Sequence, residues 1–525
     1  MKRGNQGLVV VIAVLGAGLG AWWVTRSVSL PEPKPVAVAP PPPAAPIFDP
    51  PPQESKTVAK RPEPRLKHDD AAEAAGALQN QRSLRFADRA AMERFLAAAK
   101  DKGIAILGAI DQLNALHVGF LSVDDLNALL DGSEQPGYIY PVYLPTPQTE
   151  QAQQGAVGMG DKLLTWLGVT GDNSAYGTGV KVGILDTGST LPNAVNTNLV
   201  APPADGTQQN GHGTAVADLI NQIAPSAKLL SWRVADDNGQ SNSFMLAQGI
   251  LAAADAGVDI INISMGSYGN SAILKDAVDV ATNKGIKIFA SSGNEGYDQI
   301  SYPAGYAGVV GVGAVDANGT YLNFSNRGDN LAMAAPGLDL LTAWSGGQTV
   351  YFTGTSASSP IGAGVLAATM SQGGNRISAN KAYSLMVENL DEAGAPGNDS
   401  YYGGGNVDLG RIFRSGTPGI ADAAIAANYV TTTANGQLQL QVVVENRGTA
   451  TMINSPVQVT TPGGTSTMNI TNLLPGHITT FTLPLQMTED GAKVQSQVQV
   501  TNGGNDIKPS NNRRTDVYAA PTSSN

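Results

Sequence analysis

Residues 259–290 read DIINISMGSYGNSAILKDAVDVATNKGIKIFA, and this stretch decides the fold of the chain. Residues 259–264 and 286–290 are short apolar runs of strand composition, whereas residues 273–283 repeat their apolar side chains at helical spacing until Gly285 ends the run. A strand, a helix and another strand in succession are typical of parallel strands joined by a crossover helix. The stretch therefore predicts an α/β architecture.

The same alternation extends outward in both directions, from about Gly155 to Gly410. We expect a mostly parallel sheet covered by helices, with the loops at the carboxyl ends of its strands available for chemistry. We place this α/β unit at residues 151–413. Its further strands are predicted at Val180–Leu185, Leu229–Val234 and Val309–Ala314, and another helix at Phe244–Ala256.

A smaller unit is predicted before it, at residues 83–150. Asp88 and Ser122 are typical capping residues, and each precedes a run with helical apolar spacing. The resulting order βαββαβ is that of a ferredoxin-like α+β fold, which by itself indicates no function. The four strands are predicted at Leu84–Phe86, Ile104–Ile110, Leu113–Phe120 and Tyr138–Leu144.

The carboxyl-terminal part of the chain lacks helical patterns. Apolar and polar residues alternate there between turns rich in glycine and proline, which predicts an antiparallel β-sandwich at residues 414–518 and a tail at 519–525. The strands are predicted at Leu438–Glu445, Val457–Thr461, Thr479–Leu485 and Val494–Thr501.

The amino terminus has the pattern of an export segment, because Lys2 and Arg3 precede the 17 apolar residues Leu8–Val24. Residues 1–29 are interpreted either as a removable signal peptide or as a membrane anchor, since 17 residues exceed a usual signal core and lie at the short end of a spanning helix. Residues 30–82 form a Pro-rich linker with 13 prolines between 31 and 64, which favours an extended spacer. We expect an exported protein of the bacterial cell envelope, single-pass on the periplasmic side of the inner membrane, or a secreted one.

Composition excludes several classes of function. The 525 residues include 32 Lys and Arg against 43 Asp and Glu, a net charge of −11, and no basic block is present for nucleic-acid binding. The chain has no cysteine, which excludes disulfides, thiolate metal sites and a thiol nucleophile. The chemistry must therefore rest on oxygen and nitrogen side chains.

Three separated residues supply what acyl transfer by a hydroxyl nucleophile requires. Of the four histidines, His68, His117 and His477 lie in segments where a surface position is expected, which leaves His212 for chemistry in the α/β unit. Asp186 follows a predicted strand and Ser356 begins an apolar helix. Each is more often a cap when taken alone. Together, a carboxylate can orient the imidazole, which can then take the hydroxyl proton.

The segments around these residues resemble the signature blocks of the subtilisin-like serine proteases, in that family's chain order. The blocks are Asp186-Thr187-Gly188, Gly211-His212-Gly213-Thr214 and Gly354-Thr355-Ser356. The resemblance implies a serine endopeptidase that works through an acyl-enzyme on protein or peptide substrates. It departs from the family pattern at Ala357 and Ser358, where Met then Ala is usual, and we expect altered packing there without loss of activity.

Further blocks imply the rest of the site. Ser292-Gly293-Asn294-Glu295-Gly296 resembles the block whose Asn completes the oxyanion hole, which gives Asn294 that role. The resemblance implies that Ser264, Met265 and Gly266 pair with the substrate backbone and, with Ser291, Ser292 and Gly293, form the walls of the first specificity pocket, with Ser301 at its base. Because no acidic residue falls in those segments, we expect a preference for apolar side chains before the cut bond.

The flanking units take their expected roles from the same resemblance. The ferredoxin-like unit resembles the family's propeptide, an intramolecular inhibitor, and predicts self-processing within residues 145–155. The sandwich resembles an adhesion-type accessory module. No cofactor is required for the chemistry. The family often binds structural calcium, but the sequence does not locate a site, and Asp236-Asp237-Asn238-Gly239 favours a solvated turn. The alternative function is a non-catalytic binding protein that keeps an inactive protease scaffold and acts through its sandwich.

Overall fold

A computed structural model describes residues 66–145, 153, 155–203, 206–501 and 505–520. The predicted export segment at 1–29 and most of the Pro-rich linker lie outside these residues, so those two interpretations stay predictions. In the part of the chain that is described, no helix combines the length and the apolar character that crossing a membrane requires.

The first described elements form the predicted ferredoxin-like fold. The sheet has the order β2-β3-β1-β4, and Asp88 and Ser122 each accept a hydrogen bond from a backbone N–H of the helix that they precede. Leu84, Phe95 and Leu116 pack in its core. This confirms the ferredoxin-like prediction. The elements are α1 (Asp70–Ala74), β1 (Gln81–Phe86), α2 (Arg89–Ala99), β2 (Ile104–Ile110), β3 (Ala115–Phe120), α3 (Val123–Asn127) and β4 (Glu134–Tyr138).

The last predicted strand of this unit, Tyr138–Leu144, is wrong in its bounds. β4 ends at Tyr138, and a separate strand, β5 (Pro141–Tyr143), leaves the ferredoxin-like sheet and pairs antiparallel with Gln240–Asn242. The sequence pattern is apolar throughout and does not show the gap between β4 and β5. At residues 139–140 the chain stops pairing within the ferredoxin-like sheet and then pairs with the α/β unit. Residues 141–145, hereafter the tail segment, therefore lie against the α/β unit.

The α/β unit contains a seven-stranded parallel sheet of order β13-β12-β11-β10-β6-β8-β7. This confirms the predicted α/β class. The strands β7 and β13 were not predicted. The elements are α4 (Leu163–Trp166), β6 (Lys181–Asp186), β7 (Ala194–Asn198), α5 (His212–Ile223), β8 (Lys228–Arg233), β9 (Gln240–Asn242), α6 (Ser243–Asp255), β10 (Ile260–Ile263), α7 (Ala272–Asn283), β11 (Lys287–Ser291), β12 (Val309–Val315), β13 (Leu331–Pro336), β14 (Leu340–Ala343), β15 (Thr349–Phe352), α8 (Thr355–Met370), α9 (Ala379–Glu388) and α10 (Leu409–Arg414).

Helices bury both faces of this sheet. Val182 and Ile184 of β6 pack in one core with α5, α8 and α9, whereas Leu185 packs in a second core with α6 and α7. All three side chains are 0% exposed, and each such burial contributes about 1.5–3 kcal/mol. The burial of both faces explains why the strands are largely apolar in sequence. Since helices cover both faces, the functional loops project from the edge formed by the carboxyl ends of the strands.

The ferredoxin-like sheet packs on α6 and α7 through a buried histidine. The His117 ring lies 5.2 Å from the Phe244 ring, its Nε2 lies 2.7 Å from Gln81 Oε1, and it is 7% exposed. The expected surface position of His117 is therefore wrong, because α6 covers it, whereas His68 and His477 are exposed as expected. Desolvation lowers the pKa of His117 to about 4. An ion pair between Arg85 and Asp276 crosses the same contact.

The carboxyl-terminal part is an antiparallel sandwich, as predicted. Its two sheets have the orders β16-β17-β20 and β19-β18-β21-β22, and apolar side chains such as Val442 and Val457 meet between them. The prediction missed β16, β19 and β22. The strands are β16 (Ala423–Thr432), β17 (Leu438–Asn446), β18 (Met452–Thr461), β19 (Gly464–Leu473), β20 (Ile478–Pro484), β21 (Ala492–Val498) and β22 (Arg513–Tyr518).

A buried group of four charges joins the sandwich to the α/β unit. Arg447 Nη1 lies 2.8 Å from Asp391 Oδ2, and Arg447 Nε lies 2.8 Å from Glu445 Oε2. Arg411 of α10 pairs with both Asp391 and Glu445. Burial opposes ionisation of Asp391, but Arg447 and Arg411 outweigh it and hold the pKa of this carboxyl below its usual range. The four-charge cluster therefore links the two parts as complementary ions.

Candidate active site

The carboxyl end of β6 and the start of α5 bring Asp186 and His212 together. His212 Nδ1 lies 2.9 Å from Asp186 Oδ1 and 3.0 Å from Oδ2, and the carboxylate is 0% exposed. Because a carboxylate only accepts, Nδ1 carries the hydrogen of the neutral ring and Nε2 is its free acceptor. The imidazole also meets the edge of Phe352, with ring centres 5.1 Å apart. The pair presents a basic nitrogen in a fixed orientation.

Ser356 lies in the first turn of α8, after Gly354, whose φ of 133° requires glycine. Its Oγ donates to Ser264 O over 3.1 Å, and Ser264 Oγ donates to Ser356 O over 3.0 Å. Among the described residues, His212 Nε2 is buried and has no hydrogen-bond partner. The structure thus brings Ser356 to the same site but turns its hydroxyl toward Ser264.

The two unusual residues after Ser356 fit the buried helix. Ala357 and Ser358 are both 0% exposed, and Ser358 Oγ donates to Pro336 O over 3.1 Å. A buried hydroxyl with a partner carries little penalty. The departure from the family pattern is therefore accommodated behind the nucleophile without leaving the Ser358 hydroxyl unpaired, and the expected change of packing stays a prediction.

Asn294 presents its amide group to the cleft. Its Oδ1 accepts from Thr355 N over 2.8 Å and from Thr355 Oγ1 over 2.9 Å. Since these donors fix the oxygen, the amide nitrogen must point the other way, and Nδ2 donates to Pro145 O over 2.9 Å. No role was predicted for Thr355 from the sequence, although this residue precedes Ser356 in the Gly354-Thr355-Ser356 block. Only the contact in the structure reveals that Thr355 orients Asn294.

The acceptor of that hydrogen bond belongs to the tail segment, which lies in the cleft as an extended peptide. Tyr143 N donates to Gly266 O and Gly266 N donates to Tyr143 O, each over 3.0 Å. Leu144 N donates to Gly239 O over 3.2 Å on the other side. The tail segment is thus an added strand, a common mode of peptide recognition.

A cavity of about 360 Å³ opens beside Pro145. Of the predicted pocket residues, Gly266, Gly293 and Ser301 line it, whereas Ser264, Met265, Ser291 and Ser292 are buried behind the lining. Ser301 Oγ donates to Ser291 O over 3.2 Å, which ties two of the predicted segments together.

The sequence prediction missed an acidic residue in this cavity, Glu295. Its Oε2 accepts from Asn294 N over 2.8 Å, from Asn326 Nδ2 over 3.2 Å and from the Tyr268 hydroxyl. Burial, and then the hydrogen bond to Glu295, raise the pKa of Tyr268, which keeps this donor protonated. Glu295 stands in a quoted block, next to Asn294. The cavity beside Pro145 therefore includes a carboxylate from outside the segments used in the prediction, and the preference for apolar side chains stays a prediction.

The Asp236–Gly239 segment is a turn that uses its own carboxylates. Asp236 Oδ1 accepts from Asn238 N and Gln240 N, both over 2.9 Å, and Asp237 pairs with Arg233. These contacts are those of a turn held by its own side chains. The expectation of structural calcium elsewhere in the chain stays a prediction.

The arrangement as a whole suits acyl transfer: a carboxylate-oriented imidazole, a hydroxyl at a helix start and an amide donor on a peptide carbonyl. A profile of the subtilase family (Peptidase S8) matches residues 177–405. The thermostable alkaline protease of Halalkalibacterium halodurans is 35% identical over 249 residues, covering 45% of this chain and 68% of that protein. M-protease of Shouchella clausii is 37% identical and covers 44% of this chain and 63% of that protein.

Subtilisin Savinase of Lederbergia lenta is 39% identical over 204 residues, covering 36% of this chain and 76% of that protein. A solved structure of the protease domain of PatA aligns with a TM-score of 0.42 at 29% identity, over 46% of this chain and 97% of that one. Since that TM-score is low, the sequence relatives carry the assignment. The chain belongs to the subtilase family, and it is a serine endopeptidase.

Proposed function

We propose that the protein is an exported endopeptidase, made as a precursor, that cuts its own chain after Pro145. The catalytic groups of this proposal are Asp186, His212, Ser356 and Asn294. The observation that carries it is the 2.9 Å hydrogen bond from Asn294 Nδ2 to Pro145 O, because it sets one carbonyl of the chain where a cut bond belongs.

In the proposed reaction the Ser356 hydroxyl turns to His212 Nε2, which takes its proton while Oγ attacks the Pro145 carbonyl carbon. Asn294 Nδ2 donates to the oxygen that becomes negative. The C–N bond to Thr146 then breaks, and His212 passes the proton to the leaving amine. Water hydrolyses the ester, which frees the Pro145 carboxylate and restores Ser356.

Ordinary substrates would bind where the tail segment lies. The backbone pairing with Gly266 and Gly239 involves no side chain of the tail, so it suits many extended peptides. The ferredoxin-like segment, joined directly to the tail segment, would then act as an intramolecular inhibitor until its release.

Export is proposed from residues 1–29, with cleavage after Pro145 separating the mature enzyme from this segment. The precursor should fractionate with membranes or begin near residue 30 if the segment is an anchor or a removed signal, respectively. The mature chain should lack it in both cases. Mature chains that retain residues 1–29 would contradict the proposal.

Fluorophosphonate labelling of purified protein tests the enzyme directly. Wild type should label at Ser356 and yield a chain shortened by about 145 residues, whereas Ser356→Ala should do neither, because the nucleophile is gone. Ser358→Ala is the matched control, since this serine lies on the same helix with its hydroxyl engaged by Pro336 O. Equal processing of wild type and Ser356→Ala, or an unlabelled wild type, would favour the non-catalytic scaffold.

A further inference from the structure

The register of the tail segment places a proline opposite Ser264. Tyr143 and Gly266 exchange both backbone hydrogen bonds. In an antiparallel pair such hydrogen-bonded pairs recur at every second residue, so the next one joins residue 145 with Ser264. Any residue except proline would offer its N–H to Ser264 O there, and Pro145 has none.

Ser264 O accepts instead from the Ser356 hydroxyl, over 3.1 Å. A hydroxyl has a single hydrogen, so Ser356 cannot donate to His212 Nε2 at the same time. Within the described residues His212 Nε2 is buried and has no hydrogen-bond partner, so the Ser356 oxygen does not lie in hydrogen-bonding position to it. The orientation of the Ser356 side chain thus decides whether the nucleophile faces its base.

We propose that Pro145 slows self-processing, an effect called the brake below. Because Pro145 lacks an N–H, Ser264 O holds the Ser356 hydroxyl away from His212. The brake rests on the proposed function, since it acts on the first cut of the same site. It distinguishes the chain's own tail from substrates that carry an N–H at this position.

The brake follows from counting donors and acceptors. With an N–H at residue 145, Ser264 O accepts from it and the Ser356 hydroxyl is free for His212 Nε2. With proline, the reactive orientation pairs Nε2 but leaves Ser264 O unpaired, whereas with an N–H at residue 145 the reactive orientation leaves neither group unpaired. Both groups are buried, Ser264 at 0% and His212 at 6% exposure. Since an unpaired buried group costs free energy, the reactive orientation is disfavoured in the wild-type precursor relative to a chain with an N–H at residue 145. The first cut is therefore slowed, and later cuts of other peptides are not.

Two substitutions restore the missing N–H in the full-length protein. Pro145→Ala and Pro145→Val should both convert precursor to the shortened chain about tenfold faster than wild type, the rate effect of roughly one hydrogen bond. Pro136→Ala is the matched control, because it removes an exposed proline from β4, outside the cleft, at a position paired with Leu84 instead of Ser264. It should process within about twofold of wild type.

The readout is a pulse–chase time course on gels, with the new amino terminus identified by mass spectrometry as Thr146. Thermal melting of each variant in a Ser356→Ala background verifies that it is folded. If Pro145→Ala melts at a lower temperature than the others, the processing rate of Pro145→Val decides the test. Unchanged rates in both Pro145 variants, with Ser356→Ala still uncut, would overturn the brake and leave the proposed function standing. A wild-type cut elsewhere would overturn the register. Processing of the Ser356→Ala protein at the wild-type rate would overturn the proposed function itself.

Discussion

Acidification should loosen the contact between the ferredoxin-like segment and helix α6, and His117 is the group that responds. Burial lowers its pKa from 6.5 to about 4, so the folded contact holds the neutral ring. The stability from this group is fully present above the ordinary pKa and is lost as the pH falls toward about 4. Between about pH 7.5 and about pH 5 the loss amounts to roughly 2 kcal/mol.

Hydrogen exchange of the β3 amides in Ser356→Ala precursor measures this opening, because the uncut chain retains the segment. Protection should fall by roughly thirtyfold on acidification in this precursor, after correction for the intrinsic exchange rate. His117→Leu in the same background fills a similar volume without titrating and should keep most of its protection. Asp255 and Asp276 lie at the same contact in both proteins, so their contributions cancel in the comparison. Equal losses of protection in the two proteins would refute the assignment to His117.

Three further outcomes are expected. Asn294→Ala should lower kcat by about 10² to 10³ with little change in KM, a loss known from an oxyanion donor in this family, because the amide acts mainly on the transition state. Arg447→Met should lower the unfolding free energy by about 3–5 kcal/mol in denaturant titration, since the two buried carboxylates Asp391 and Glu445 would then share the single cation Arg411. Glu295→Gln should reduce kcat/KM for peptides with Lys before the cut bond roughly fivefold relative to Phe peptides, as expected for about 1 kcal/mol of lost attraction.

Two of these have a matched control in the chain. Arg514→Met removes a cation that is 30% exposed and whose pair with Asp516 spans 2.9 Å, and it should cost less than about 1 kcal/mol. Tyr268→Phe removes a donor to Glu295 without touching its charge or the backbone that holds it, so the Lys-to-Phe ratio should change little. An Asn294→Ala loss confined to KM, or an Arg447→Met protein as stable as Arg514→Met, would contradict the respective reasoning.

Elements with a local pattern were predictable from the sequence, and elements that depend on distant partners were not. The strands β6 and β10 are continuous apolar runs, and α7 has a glycine that ends it. By contrast, β7 reads Ala-Val-Asn-Thr-Asn and is mostly exposed, so only its pairing with β8 makes it a strand. The buried state of His117 depends in the same way on α6, more than a hundred residues away.

The features of the active site also divide into those with a local sequence pattern and those that depend on distant partners. The positions of Asp186, His212, Ser356 and Asn294 could be inferred from short motifs that resemble a family, although their catalytic roles stay proposals. The orientation of the Ser356 hydroxyl could not, because it depends on which atom reaches Ser264 O. Glu295 was not predicted as a residue of the cavity because a sequence motif does not show which cavity a carboxylate faces.

The four-charge cluster limits how this enzyme can be rebuilt by recombination. Binding modules are usually exchanged at linkers, where both parts keep their own complement of ions. Here Glu445 and Arg447 would travel with a transplanted sandwich, while Asp391 and Arg411 would stay behind, so the Arg411–Glu445 and Arg447–Asp391 pairs would be lost and each charge would keep one of its two partners. A fusion that carries residues 391–447 together avoids this, and the boundary for engineering therefore lies inside the α/β unit, before α10.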